Sequence, residues 1–442
     1  SSDLAGIGSL QNNRAKLIES EFGAANFSVN NDKGLEISGF SVFTTVTNDI
    51  EEQIKRTYNA TEVEENTREY SLQKSTLELY KFSLEYEPNE IFQLEYNILY
   101  NSSDQSEVND LTSIYGRLNN RVEENLDLTR TQTPNALNQE LKVYYTLNDN
   151  HIFSFEAQHL DQTEDPIGRA VRDRNPFLSL IPFDSNVQRF DIAQYRLIET
   201  QKLEAKLDYF YLINDQSNLN LSIGFTNVDQ NYFSNFNQTL DDGRRKLFDD
   251  DQFNNDVDFS FKDLYFALNY RIRTGIFTID PGLTLHFYDN NNTQLGQTYS
   301  KDISDIRPNL RVNMQFKKNE NLRFTYRKNT QFTDVNNISE GYVFNNYNSI
   351  FRGNRQLEAA IVNSYNLNYR SINQFTFTNI FSNISYSKRE NSIQSRAAID
   401  GINSVRTAYN SIFPRETYSA RARLDKRFKN IKINLSVNVR YS

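Results

Sequence analysis

Between Asn309 and Asp334 the chain states one rule twice. Leu310, Val312, Met314 and Phe316 alternate with Arg311, Asn313, Gln315 and Lys317, a polar turn follows, and Leu322, Phe324 and Tyr326 then alternate with Arg323, Thr325 and Arg327. Side chains on a strand point to opposite faces with period two, so each arm has one apolar wall and one strongly polar wall. The same phase recurs at Phe92, Leu94, Tyr96, Ile98 and Tyr100, at Leu203, Ala205, Leu207, Tyr209 and Tyr211, and at Leu264, Phe266, Leu268, Tyr270 and Ile272. It continues through Leu283, Leu285 and Phe287, through Tyr365, Leu367 and Tyr369, and through Ile431, Ile433, Leu435, Val437 and Val439.

Short polar turns punctuate these runs at 31–34, 87–90, 148–150, 214–216, 274–275, 318–320, 372–374 and 429–430. Asn, Asp, Gly and Pro supply the backbone angles and local hydrogen bonds that tight turns need. Eight turns imply sixteen flanking strands. Between successive turns the alternation lapses into excursions rich in Asn, Asp, Ser and Gln, at about 48–70, 101–138, 161–200, 230–258, 289–305, 333–359 and 390–416. Short turns on one rim and long loops on the other predict an all-β, antiparallel transmembrane β-barrel with periplasmic turns and extracellular loops, spanning residues 1–442 as one domain.

A Lys or Arg facing lipid at mid-bilayer costs about 2–4 kcal/mol, so the charged wall belongs to the lumen. On the last strands that wall is basic: Arg311, Lys317, Arg323, Arg327, Arg370, Arg421, Arg423, Lys432 and Arg440. These residues either pair with acids on the opposite wall or in a plug, or line an anion path. The phase breaks near Leu79–Tyr80 and at Ile380, which predicts a bulge or a strand rising clear of the membrane.

Composition sharpens this picture in a few places. Mean hydropathy is -0.69, and no run approaches the roughly 18 apolar residues of a membrane helix, which excludes a helical membrane protein but not a barrel. With Trp 0, any aromatic girdle falls to Tyr 26 and Phe 32. Cys 0 removes disulfides and thiol chemistry together. The net charge of -9 divides unevenly: residues 301–442 hold 23 Lys+Arg against 10 Asp+Glu, and residues 1–300 hold 25 against 47. That balance argues against a nucleic-acid partner. The opening SSDLAGIGSLQNN has neither the basic start nor the apolar core of a signal peptide.

Candidate chemistry is sparse. No GxSxG elbow, P-loop or HExxH is present, so no enzyme is expected. Loop aromatics Tyr232, Phe233, Phe236, Tyr342, Phe344, Tyr347 and Phe351 suit stacking on a sugar ring or peptide side chain, or packing of loops against one another. Asp249, Asp250 and Asp251, with Asp256 and Asp258 nearby, form the best cation candidate; such a loop either folds around Ca2+ or stays solvated. His151 and His159 share a face with Phe153 and Phe155, which suits a membrane interface better than a metal site.

Two stretches carry a resemblance. Phe22 to Asp49 resembles the first barrel hairpin of the TonB-dependent receptors and their outer-membrane β-barrel relatives of the Bacteroidota type, and Asn345 to Tyr369 resembles their GNP-L-type stretch, here Gly353-Asn354-Arg355-Gln356-Leu357. The resemblance implies ligand uptake across the bacterial outer membrane by a barrel of about twenty-two strands with an N-terminal plug and a TonB box. It implies outer-membrane lipid and lipopolysaccharide, the energy-coupling TonB complex and a surface lipoprotein as partners. Neither plug nor TonB box precedes Phe22, so the chain is expected to be a fragment, continued past Ser442 by about six strands. Pairing of Ile431–Tyr441 with Ala24–Asn30 in a closed barrel would instead favour a porin-like channel. The other classes left open are a passive porin and a barrel that anchors surface proteins without transport.

Overall fold

The computed structural model describes residues 15–117, 120–175, 177, 180–428 and 431–441. In chain order the strands are β1 (Ala15–Asn30), β2 (Leu35–Tyr58), β3 (Val63–Asn89), β4 (Phe92–Arg117), β5 (Asn120–Gln132), β6 (Asn135–Asn148), β7 (His151–Glu164) and β8 (Ile167–Arg172). Then come β9 (Phe190–Asn214), β10 (Ser217–Thr239), β11 (Arg245–Leu247), β12 (Asn255–Thr274), β13 (Phe277–Gln294), β14 (Gln297–Lys317), β15 (Glu320–Gln331), β16 (Val343–Asn346) and β17 (Ser349–Arg352). The last are β18 (Ala360–Asn373), β19 (Thr378–Glu390), β20 (Ile393–Asp400), β21 (Asn403–Asn410), β22 (Arg415–Arg427) and β23 (Lys432–Tyr441).

Sixteen of them build one antiparallel wall in the order β1, β2, β3, β4, β6, β7, β9, β10, β12, β13, β14, β15, β18, β19, β22, β23. This is the antiparallel β-barrel that the alternation predicts. Seven of the eight expected turns join its hairpins, from Asn31–Gly34 to the turn after Asn373; the eighth, Lys429–Asn430, lies outside the described residues. The Asn31 carboxamide oxygen accepts the amides of Lys33 and Leu35, and Gly34 takes a φ of 77°, so this turn chemistry is local and readable from sequence.

Register carries the apolar face around the wall. Leu94, Val143, Phe155, Leu207, Ile223, Phe266 and Leu285 lie opposite one another from β4 to β13. Ile279, Val312, Phe324, Leu367, Ile384, Ala420 and Val439 do the same from β13 to β23. Two residues beyond this second row runs a tyrosine ladder, Tyr326, Tyr365, Tyr386, Tyr418 and Tyr441, with successive ring centroids 4.8, 5.7, 4.7 and 6.4 Å apart. By the short turns at the opposite end, His151, Phe153, Tyr209 and Tyr211 stack on the same outer face. Two aromatic belts bounding an apolar band are the girdles of an outer-membrane barrel, built without tryptophan.

The excursions depart from expectation in kind. Those at 48–70, 101–138 and 289–305 are mostly continuations of the sheet: β2 and β3 run 24 and 27 residues and turn at 59–62, and β13 meets β14 across Leu295–Gly296. A barrel strand needs only about 9–11 residues to cross a bilayer, so most of β3 stands above it, where polar Glu65, Thr67, Ser71 and Gln73 fill its buried face, and the alternation lapses while the ladder continues. This also accounts for the phase break near Leu79–Tyr80, where the β2–β3 register is unbroken; at Ile380, beside the short turn after Asn373, the β18–β19 and β19–β22 registers are likewise unbroken. Neither place holds a bulge.

β1 pairs with β2 alone and β23 with β22 alone, so among the described residues Ile431–Tyr441 does not meet Ala24–Asn30. Both edge strands are exposed on both faces along nearly their whole length.

Candidate functional site

The excursions at 333–359 and 390–416 fold together over the mouth of the wall. Asp334 caps a single helical turn, Val335–Ile338, by accepting the Asn337 amide at 3.0 Å. β16 and β17 follow as a small hairpin, and β17 pairs in parallel with β21 of the next excursion, which pairs with β20. Two loops separated by the β18–β19 hairpin thus form one four-stranded cap.

The Gly353–Leu357 stretch closes this cap. A Cβ on Gly353 would fall 2.5 Å from the Asn337 and Ser339 carbonyl oxygens, whose backbones accept the amides of Asn354 and Gly353 at 2.8 Å. Arg355 pairs with Glu340 at 2.6 Å and also donates to the Gln294 carbonyl, and Leu357 is buried. Arg355, standing where the GNP-L-type stretch it resembles has proline, therefore makes an ion pair within the cap.

Underneath lie two apolar clusters. Ile198, Tyr232, Val257 and Phe259 from the raised ends of β9, β10 and β12 enclose Val335, Ile338, Val343 and Leu357. Ile192, Phe236, Phe248 and Phe253 meet Tyr342 and Ile350, with Phe344 standing edge-on to Phe236 at 4.6 Å.

At its tip the cap reaches the far side of the wall. The Tyr347 hydroxyl donates to Glu65 Oε1 at 2.8 Å, and Glu65, fully buried, also accepts from Tyr58 at 2.9 Å, Ser113 at 3.0 Å and Arg56 at 3.4 Å. Arg172 forms a two-pronged pair with Glu124 at 2.9 Å, both out of solvent, and donates to the Tyr347 carbonyl at 2.5 Å. Arg130 donates to the Asn345 carbonyl at 3.0 Å, and Asn348 reaches Tyr58 and the Ile402 carbonyl. Burial, then the neighbouring Glu65 carboxylate, pushes the Tyr347 hydroxyl well above the ordinary phenol range, so it remains a donor at every physiological pH.

Between cap and wall is a cavity of about 940 Å³, bordered by Arg130, Arg196, Arg406, Glu69 and the aromatics Phe344, Tyr347 and Phe351. Burial, then the like charges of Glu107 and Glu52, raise the Glu69 carboxyl above its usual range. A volume of this size fits a ligand of drug-like dimensions, and guanidinium, carboxyl and ring faces offer polar and stacking contacts together.

The structure distributes the seven loop aromatics among three settings. Tyr232, Phe236 and Tyr342 are buried in the two clusters, Phe233 faces outward, and Phe344, Tyr347 and Phe351 border the cavity. Asp249, Asp250 and Asp251 are not brought together: Asp250 accepts the Gln252 amide at the head of a one-turn 3-10 helix, while Asp249 and Asp251 are exposed. Asp256 and Asp258 lie on the outer face of β12, and among the described residues no group of three or more Asp, Glu or His is placed to hold a metal. His151 stacks between Tyr209 and Tyr211 on the outer belt, as its position among aromatics predicts. The latch residues Arg56, Glu65, Glu124 and Arg172 escape sequence reasoning, because their partners are decided by contacts up to 291 residues away.

Comparison with known proteins follows the fold. The outer membrane protein beta-barrel family matches residues 146–442. No curated protein sequence matches the chain. Among solved structures, a double mutant of the Serratia marcescens hemophore receptor HasR, in complex with its hemophore HasA and heme, superposes with a TM-score of 0.54 at 10% identity, over 96% of this chain and 63% of that one. The copper transporter OprC gives 0.53 at 12%, over 97% and 62%. The siderophore receptor PiuA from Acinetobacter baumannii gives 0.53 at 9%, over 96% and 63%. The chain thus spans less than two thirds of the length of these structures, and at such identities the likeness is one of fold.

Proposed function

The chain belongs to the outer membrane protein beta-barrel family of the bacterial outer membrane, and on that premise we propose that it forms the wall and outer cap of a receptor that takes up a ligand in a TonB-dependent manner. The observation that carries this reading is the cap: two loops lock together, cross the mouth and hydrogen-bond to buried Glu65 on the far wall and to buried Arg172 at the end of β8. A passive porin needs an open path, whereas a covered chamber suits a receptor that binds before it releases. The ligand site is the cavity bordered by Arg130, Arg196, Arg406, Phe344, Tyr347 and Phe351.

The whole receptor includes a plug, a TonB box and about six more strands, a size supported by the two unpaired edges, since backbone groups bare in lipid cost several kcal/mol each. The exposed pair Ile412 and Phe413, 87% and 74% accessible between β21 and β22, favours a second reading in which the cap also seats a surface lipoprotein.

Purified full-length protein is expected to bind the periplasmic domain of TonB and to show no steady conductance in planar bilayers. Steady open conductance without TonB binding would replace this reading with a passive porin. A stable copurifying surface protein, with neither property, would replace it with a scaffold.

A further inference from the structure

The lumen face is divided by charge. From β4 to β9 the ladder sets Glu95, Lys142, Glu156 and Lys206 opposite one another in turn, so each of these carboxylates has an ammonium on the next strand. Further pairs neutralise the same side, Lys142 with Glu140 at 2.9 Å, Lys202 with Glu204 at 2.9 Å and Lys206 with Asp208 at 2.6 Å. The face of β14, β15 and β18 is built differently. Arg311 lies opposite Thr325 on β15 and Asp280 on β13, a carboxylate already paired with Arg271 at 2.6 Å; Arg323 lies opposite Asn313 and Asn368, Arg327 opposite Asn309 and Ser364, and Arg370 opposite Asn321. Each is a diagonal neighbour of the next, in the order Arg327, Arg311, Arg323, Arg370, and diagonal neighbours on a sheet are within reach of long side chains.

Among the described residues none of these four guanidiniums has an ion pair or a side-chain hydrogen bond, although ion pairs are frequent elsewhere on the molecule. Arg311 and Arg327 also border a separate cavity of about 570 Å³ on this wall, whose other arginines, Arg271 and Arg307, are held by Asp280 and Asp305. All four free cations are arginines, whose planar fork binds carboxylate or phosphate two-pronged, and their partners within β14, β15 and β18 are Asn, Ser and Thr, which complete such a contact without cancelling the charge; the one acid in register, Asp280 opposite Arg311, is held by Arg271.

We propose that Arg311, Arg323, Arg327 and Arg370 form an anion-binding face inside the lumen, neutralised by carboxylate or phosphate groups from outside the described residues. Those groups belong either to a dissolved polyanion passing through or to an acidic surface of a segment folded inside the wall. The inference rests on the reading that this face lines a lumen, and it is independent of TonB coupling.

The test uses purified full-length protein and the trianionic dye 8-hydroxypyrene-1,3,6-trisulfonate, followed by fluorescence anisotropy at low and at physiological salt. If the anion comes from solution, the dye binds, the triple variant Arg311→Gln/Arg323→Gln/Arg327→Gln weakens binding more than tenfold, and the matching triple Lys variant keeps most of it. If the anion is an internal acidic surface, the dye does not bind, and the Gln triple lowers the thermal midpoint where the Lys triple does not. No dye binding, together with a Gln triple as stable as the parent or more so, overturns the proposal, because the arginines would then only repel one another. Failure here leaves binding to TonB unaffected, so the two readings are tested separately.

Discussion

The Tyr347 hydroxyl lies 2.8 Å from Glu65 Oε1, although the two residues are 282 positions apart and stand on opposite sides of the mouth. This hydrogen bond joins the tip of the cap to a carboxylate that has no contact with solvent. Tyr347→Phe removes the cap's own share of the contact while Tyr58, Ser113 and Arg56 still satisfy Glu65. The expected cost is about 1 kcal/mol. Hydrogen exchange at residues 343–352 should quicken about fivefold, with no change in the β9–β10 ladder; equal protection in both proteins would mean that the bond does not hold the cap.

Arg172 and Glu124 behave as a unit. Arg172→Met leaves a carboxylate buried without its cation, which costs about 3–5 kcal/mol, whereas Arg172→Met with Glu124→Leu recovers most of the loss. Thermal unfolding of the two variants should therefore differ clearly. If the single and double variants melt together, the pair is not coupled.

Surface topology can be read with trypsin on intact cells. Residues 241–245, at the bend between β10 and β11, are all exposed, whereas much of 335–350 is buried against the clusters. Cleavage should occur first after Arg244 or Arg245 and only later within 333–359. Cutting restricted to the short turns would invert the molecule in the membrane.

Spin labels report the two faces of the wall directly. Labels at Leu94, Leu207, Leu268, Leu285, Val312, Phe324, Leu367 and Leu435 should sense lipid, and labels at Glu95, Lys206, Asn269, Arg311 and Asn434 should sense water. A Leu207→Arg change is expected to cost about 2–4 kcal/mol. Water at both sets of positions would remove the membrane reading.

Glu69 predicts a pH dependence with a definite sign. Its carboxyl titrates above the usual 4.5 because it is buried beside Glu107 and Glu52. Between the unfolded and folded pKa values the folded chain holds more protons, so this group's contribution to stability falls as pH rises through that window. Glu69→Gln should raise the thermal midpoint at pH 8 and leave it nearly unchanged at pH 4.5. A variant whose midpoint shifts equally at both pH values would assign the effect to packing rather than to charge.

The two halves of the chain were not equally readable. The wall was legible because a strand records its surroundings residue by residue: Leu310 to Phe316 against Arg311 to Lys317 is a local statement about oil and water. The turns were legible for the same reason, since Asn31 bonds to amides only two and four positions along. Above the membrane no face of β2 and β3 meets lipid, and the buried face is filled largely by polar residues such as Asn48, Glu65, Thr67 and Gln73, so the sequence loses its period while the backbone keeps its ladder, and sheet there reads as loop. The stretch from Gly353 to Leu357 could be recognised as a motif, but its role as the clasp of the cap depends on carbonyls of Asn337 and Ser339 brought close by folding.

What the sequence by itself determined is the barrel: sixteen strands, the sides they show to lipid and lumen, the rim that carries the turns, and the basic character of the last lumen-facing strands. What only the tertiary structure decided is which distant groups meet. Glu65, Glu124 and Arg172 look like ordinary surface charges until the cap arrives over them, and Arg311, Arg323, Arg327 and Arg370 look like an even scatter until register sets Arg323, Arg327 and Arg370 beside Asn and Ser, and Arg311 beside Thr325 and an Asp280 that Arg271 already holds. Alternation is enforced by the solvent on each face and is written within a few residues, whereas a buried ion pair or a free guanidinium is a property of two or more segments whose separation along the chain carries no trace of their distance in space.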